Sequence, residues 1–299
     1  MRTKVRFFEN TADIPDPKRS ILEPAGCGPE VAEVTDDDIQ GMRFAYLVVE
    51  LYSDDPRLPI LQGRFQALGL EPLERRWDEY TEEELDAARL LIMSYDNNET
   101  VFGGPRLGTT YDMSEACPRC GAGARQTSAM FIDGEDLPKL EGRRASATYY
   151  KDMLVDEKLA GTLAESGLTG ISFRGVFAAF EEKGPIELPW RQICAAHTLP
   201  RMSPRSTGIE PYKPCACGRS SFTNPAEVPM RLAYRATDVA DIRDVNVTWE
   251  WYGEVKFNGD VSKAVFPCPL FLVTPKVRRI FLDAGVTGFD WIPIRVEES

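Results

Sequence analysis

The first dense run of apolar positions is Arg43-Phe-Ala-Tyr-Leu-Val-Val-Glu-Leu-Tyr52. Its aromatic and β-branched residues predict a buried strand. Asp55-Pro56 follows, a helix cap and a first-turn proline, and Gly69 can end that helix. Thr81 with Glu84 three residues on reads as a capping box that opens a second helix. Much later, Val245, Val247, Trp249 and Trp251 alternate with Asn246, Thr248 and Glu250. That is the period of a strand with one apolar face, and the apolar side is expected in the core of a sheet. An exposed aromatic patch for a partner is the alternative.

Two longer segments share one pattern. Residues 154–176 and 272–294 align without a gap at an offset of 118, and Leu, Val, Lys, Gly, Thr and Gly recur at the same places. Asp156 and Thr274 are placed to cap a helix, with Pro275 in its first turn. Leu159 with Leu163, and Val277 with Phe281, are four apart and share a helix face. Gly167 and Gly285 suit the left-handed residue that ends a helix, and Gly170 and Gly288 turn the chain into a closing strand. The expectation is an internal repeat of two strand–helix–strand units, whose matched residues specify a fold and no chemistry.

The fold class expected is α/β (α+β): an acidic α/β domain at 1–112, then two repeats at 113–190 and 191–299, each opened by a cysteine knuckle. The Gly-rich, polar stretch between 97 and 110 sets the first boundary. Gly103-Gly-Pro-Arg-Leu-Gly108 superficially suggests a phosphate loop, but it has no following Lys and contains a proline, so it reads as a linker.

Composition adds little until charge is located. With 43% apolar and 27% charged residues, the 299-residue chain is ordinary for a globular protein. Its net charge of -12 is uneven: residues 1–112 hold 12 basic against 23 acidic side chains, a net of -11. Such a surface repels phosphate backbones and favours cationic partners. Solubility alone is the competing reason. The N-terminal residues lack the apolar core of a signal peptide, and no apolar run is long enough to cross a bilayer, so a cytoplasmic protein is expected.

In that compartment seven cysteines suggest metal ligands or buried thiols before disulfides. Cys117-Pro-Arg-Cys120-Gly121 has zinc-knuckle spacing, with a glycine where the backbone must turn behind the metal. Pro214-Cys215-Ala-Cys217-Gly218 is one residue shorter, and its loop must bend for both thiols to reach one ion. The favoured zinc set is Cys117, Cys120, Cys215 and Cys217. A mixed set drawing on Cys194 or His197 is the alternative, and Cys27 and Cys268 read as unliganded thiols. His197 is the only histidine, so a zinc site with two or three histidines is impossible. No Gly-x-Ser-x-Gly, Walker loop or His-Glu-x-x-His is present, and no catalytic residue is expected.

The order of the two knuckles, the two Leu-Val…Gly-x-Thr-Gly segments and the terminal aromatic strand resembles the double-CXXCG motif family of bacterial proteins over residues 113–299. Some of its members are immunity proteins against contact-delivered swarming-inhibition toxins. The resemblance implies that Cys117, Cys120 and Gly121, then Cys215, Cys217 and Gly218, are the metal knuckles; the shortened second knuckle departs from the pattern. It implies a non-enzymatic, zinc-stapled protein that neutralises a toxin. A cationic protein partner is then expected on the acidic first third, with Asp78, Glu79, Glu82, Glu83 and Glu84 as first candidate contacts. A zinc-ribbon nucleic-acid-binding or transcription accessory protein and an enzyme with an unrecognised site are the rivals.

Overall fold

Alternating burial along four antiparallel strands builds the first core. The computed structural model describes residues 1–39, 42–95, 99–253, 260 and 267–298. Its contacts divide the chain into two units, Met1–Thr81 with Asn224–Met230, and Glu82–Thr223 with Arg231–Ser299. The architecture is α+β throughout, as the patterns predict.

In the first unit, β1 (Arg2–Asn10), β2 (Ala32–Ile39), β3 (Met42–Tyr52) and β4 (Leu73–Glu79) form an antiparallel sheet in the order β2-β3-β1-β4. Every second residue of β1 and β3 points inward: Val5 and Phe7, then Leu47, Val49 and Leu51. Helix α1 (Arg57–Ala67) covers them with Leu58, Leu61 and Phe65, spaced to share one face. Asp55 caps it, its carboxylate accepting from Arg57 N at 2.9 Å, and Gly69 turns away with φ 68°. Cys27 is 5% exposed within this core and forms no disulfide. Arg76 N donates to the Ala226 carbonyl at 2.7 Å, which ties the distant segment 224–230 to β4.

The second unit opens with α2 (Glu82–Ala87) and β5 (Leu91–Tyr95), followed by β6 (Met130–Asp133), β7 (Ala145–Ala147), β8 (Met153–Asp156), α3 (Glu157–Glu165), β9 (Ile171–Ala179) and β10 (Ile186–Ala195). Further on come β11 (Val245–Tyr252), β12 (Cys268–Val273), α4 (Pro275–Asp283) and β13 (Phe289–Pro293). One sheet runs β6-β9-β10-β8-β7; another runs Glu210–Pro211, Phe222–Thr223, β11, β12, β5, β13. Helix α3 thus links β8 to β9 with β10 between them, and α4 links β12 to β13 with β5 between them. Both inserted strands are antiparallel to their neighbours. One follows its partners directly in sequence, whereas the other precedes them by nearly the whole unit.

Locally the two strand–helix–strand segments share their turns. Gly167 and Gly285 have φ 69° and 71°, and Gly170 and Gly288 have φ 76° and 80°. Their caps differ. Asp156 accepts from Leu159 N at 2.6 Å, but Thr274 makes no side-chain cap. Its hydroxyl instead donates to Asp244 at 2.8 Å, and the same carboxylate accepts from Thr169 N and its hydroxyl at 2.9 and 2.8 Å. Asp244 therefore fastens the loop before β9 to the start of α4, a role its sequence position did not signal.

Three expectations change. The boundary drawn at 112 falls inside the second unit, because β5 is an interior strand of its sheet, paired on both edges. The segment 103–108 is no linker: Gly103 bridges Ile132, and Pro105–Leu107 forms a short helical turn packed beside Phe131. Of the 97–110 stretch, residues 97 and 98 lie outside the described residues. Finally, β11 has the expected period, but only Val245, 1% exposed, is in the core as expected; beyond it the faces are reversed, with Asn246, Thr248 and Glu250 0%, 0% and 3% exposed and Val247, Trp249 and Trp251 half-buried.

A break in pairing explains the reversal. The register of β11 against β12 shifts between Val247 and Trp251, which frees backbone groups that buried side chains must satisfy. Asn246 Nδ2 donates to the carbonyls of Arg243 and Leu272 at 2.6 and 3.0 Å, and Thr248 Oγ1 accepts from Leu270 N at 3.0 Å. Glu250 Oε1 accepts from Met202 N at 2.9 Å. On the other face, Trp249 lies against the guanidinium groups of Arg201 and Arg219, 4.1 and 5.2 Å from its ring.

Candidate metal centre

Each cysteine knuckle is a tight turn closed by its own backbone. In the first, Gly121 N donates to the Cys117 carbonyl at 2.8 Å, and Cys117 N donates to the Ala122 carbonyl at 2.9 Å. Gly121 sits at φ 73°, a conformation that strains any residue with a Cβ. In the second, Gly218 N donates to the Cys215 carbonyl at 2.9 Å, with Gly218 at φ 72°. The bond from the glycine amide to the first cysteine's carbonyl is thus kept, one residue shorter. This is how the Cys-x-Cys spacing bends so that both thiols face one point.

The two turns bring Cys117, Cys120, Cys215 and Cys217 together, with all four sulfurs within 4.8 Å of one another. Cys117 Sγ lies 3.6 Å from Cys215 Sγ, and Cys120 Sγ lies 3.6 Å from Cys217 Sγ. Those separations exceed a disulfide bond of about 2.05 Å. They match the sulfur–sulfur edge of about 3.8 Å that follows from four metal–sulfur bonds of about 2.3 Å in a tetrahedron. The four cysteines can hold a metal ion, and no fifth protein group is needed to complete a tetrahedral shell.

Backbone amides already favour the thiolate form at parts of this cluster. Burial pushes the Cys117 thiol up, but the amides of Arg119 and Cys120 outweigh it and bring it down to about 7. For Cys120 burial dominates, and its thiol is pushed up to about 12 despite the Ala122 amide. Cys217 is likewise raised by burial, against the Arg219 amide 3.5 Å from its sulfur. A cation at the centre would reverse that balance for all of them, because it favours every deprotonated sulfur.

The alternative ligands are elsewhere. Cys194 receives an Arg174 N–H at 3.2 Å, and His197 Nδ1 lies 2.8 Å from Asn246 Oδ1. Neither belongs to the sulfur cluster, the one group of this kind among the described residues. Cys268 is half-buried and apart from it.

The acidic candidates divide between the two units. In the first, Asp78 accepts from the Thr3 hydroxyl at 2.7 Å, and Glu79 accepts from the Tyr52 hydroxyl at 2.7 Å and pairs with Lys4 at 3.2 Å. In the second, Glu82 holds Arg278 of α4 through contacts of 2.8 and 2.6 Å, and that arginine is only 4% exposed. Glu83 and Glu84 share the first turn of α2 with Glu82. Asp78, Glu79 and Glu82 therefore have partners within their own units.

No family model matches the chain, and no curated protein matches it in sequence. Among the described residues, no helix is long and apolar enough to cross a membrane.

Proposed function

We propose that this protein is a zinc-stapled, non-enzymatic binding protein that neutralises a cationic protein toxin in the bacterial cytoplasm. The observation that carries the zinc reading is the four-sulfur set, with its 3.6 Å sulfur–sulfur edges. An all-thiolate donor set suits zinc over harder cations, and a shell closed by four protein sulfurs suits a structural ion, since catalytic zinc keeps a position for water or substrate. Cys117–Cys120 and Cys215–Cys217 lie almost a hundred residues apart, so the ion would close a long loop and favour the folded chain. The toxin reading is supported by the resemblance to the double-CXXCG family and by the acidic excess of residues 1–112. That excess would speed encounter with a cationic partner in a salt-dependent way. The acidic candidates are tested unit by unit: the exposed positions 36–38 of edge strand β2, where Asp36 is paired with Arg43 at 2.8 Å, in the first unit, and Glu82, Glu83 and Glu84 at the start of α2 in the second.

Two measurements test the parts separately. Elemental analysis of the purified chain should find close to one zinc per molecule. Cys117→Ser and Cys215→Ser should each lose it, while Cys194→Ser and His197→Ala keep it. Metal content unchanged in the first pair would remove the site. Co-expression with the toxin encoded beside the gene should restore growth. Failure of the wild-type chain to rescue would remove the immunity role and leave the metal site standing.

A further inference from the structure

The second unit contains a cavity of about 670 Å³, of a size that takes a small organic ligand. Its lining includes a polar set, Tyr111, Gln126, Asp152, Arg174, Gln192 and Cys194, and an apolar set, Val247, Trp251, Pro269 and Phe271. The polar set is held by its own hydrogen bonds before any ligand arrives. The amides of Gln126 and Gln192 bond each other twice, at 2.8 and 2.9 Å, and Gln192 Nε2 also reaches Asp152 at 3.1 Å. The Thr148 hydroxyl donates to the other Asp152 oxygen at 2.9 Å. The Asp152 carboxylate is thus satisfied by neutral donors.

Arg174, projecting from β9, is not satisfied in the same way. It donates through Nη2 to the Gln126 carbonyl at 2.8 Å and through Nη1 to Cys194 Sγ at 3.2 Å, both uncharged acceptors. Among the described residues no carboxylate lies within ion-pair distance of it, although Asp152 is near enough to be influenced by its charge. A guanidinium has five N–H donors, so three remain for a bidentate acceptor.

The charges around the cavity set the sign and size of what would bind. Lys151, Arg174 and Arg219 face it against Asp152 and Glu115, while Arg125 is paired with Asp112 at 2.8 Å. The surplus is a single positive charge in a chain whose net charge is -12. A dianion would leave excess negative charge beside Asp152, and a cation would face Arg174. The wall of Trp251 and Phe271 adds an apolar surface for a flat or aliphatic body. From this arrangement we propose that the cavity binds a small organic monocarboxylate, with Arg174 holding its carboxylate and Trp251 and Phe271 contacting its apolar part.

The pocket also borders the metal centre. Glu115 and residues 123–126 flank the first knuckle, and Arg219 follows the second, its carbonyl accepting from Trp251 N at 2.5 Å. The metal-loaded full chain is therefore the protein to test. Calorimetric titration should show indole-3-propionate binding, with its uncharged amide at least tenfold weaker. Arg174→Gln should bring the acid to the level of the amide and leave the amide unchanged, and Arg174→Lys should fall between. Equal binding of acid and amide would overturn the assignment. So would tighter binding of inorganic phosphate, or no binding of benzoate, phenylpropionate, hexanoate or indole-3-propionate at millimolar concentration. Should Arg174→Gln fail to fold, the acid–amide comparison on the wild-type chain decides by itself.

Discussion

Glu250 and Asp244 are buried carboxylates on or just before one strand, and their surroundings push them in opposite directions. Burial raises Glu250, whose Oε2 has no hydrogen-bond partner, so ionising it in the folded state costs free energy. That cost is full above its raised value and disappears as pH falls below the ordinary carboxylate range. Glu250→Gln keeps an oxygen for Met202 N and removes the charge. It should raise the melting temperature at pH 8 by a few degrees, corresponding to about 1 kcal/mol, with the gap closing near pH 4. For Asp244 burial also acts upward, but the Thr169 and Thr274 donors and Lys276 outweigh it and lower its value. Its stabilisation is present above the ordinary carboxylate range and is lost as pH falls through the lowered value. Asp244→Asn should cost about 1–3 kcal/mol at pH 7 and much less near pH 3, read from thermal melts across pH. Neither residue was legible as buried. The period of β11 showed two faces, but which one enters the core depends on the register break and on the arginines stacked over Trp249. The four cysteines were legible because knuckle spacing is local, down to the glycine behind each pair.

At the scale of one helix, glycine has opposite value at positions only six residues apart. Gly161 lies inside α3 with open space where a Cβ would go, and it has no unusual φ. Gly161→Ala should therefore stabilise the chain by about 0.5–1 kcal/mol, through helix propensity alone. Gly167 ends the same helix at φ 69°, also in open space, so Gly167→Ala should cost about 1 kcal/mol from backbone strain without any clash. Gly170 is more constrained: a Cβ there would meet Arg243 Cβ and the Val245 carbonyl at 2.5 Å, so Gly170→Ala should be the worst of the three. Denaturant melts of the three variants check the order. The positive-φ glycines could be read from sequence because helix ends have local signals. The tightness at Gly170 could not, because the atoms it meets lie more than seventy residues away.

Across the whole molecule, chain order and spatial grouping disagree twice: segment 224–230 belongs with the N-terminal unit, and β5 is inserted between two strands from the far end of the second unit. A fragment cut at the sequence boundary, 113–299, would leave β12 and β13 without the strand that pairs with both. A fragment 82–299 would retain it. The longer fragment should melt cooperatively by circular dichroism, and the shorter should lose that transition. The sequence marked residues 91–95 as apolar but could not name their neighbours, since pairing across nearly two hundred residues leaves no local trace. The same connectivity sets a schedule for biosynthesis. Leu91, Ile92 and Met93 are 0%, 0% and 1% exposed in the finished sheet, yet the closing strand Phe289–Pro293 is translated long after them. At about 5–20 residues per second, the ribosome delivers it roughly 10–40 seconds after β5 emerges. Until Cys268–Val273 arrives the nascent chain carries an apolar strand with both edges unpaired, and until Phe289–Pro293 arrives one edge stays open, a natural substrate for a holding chaperone. Any transcript broken before codon 289 would release a product in which that strand never acquires its second neighbour.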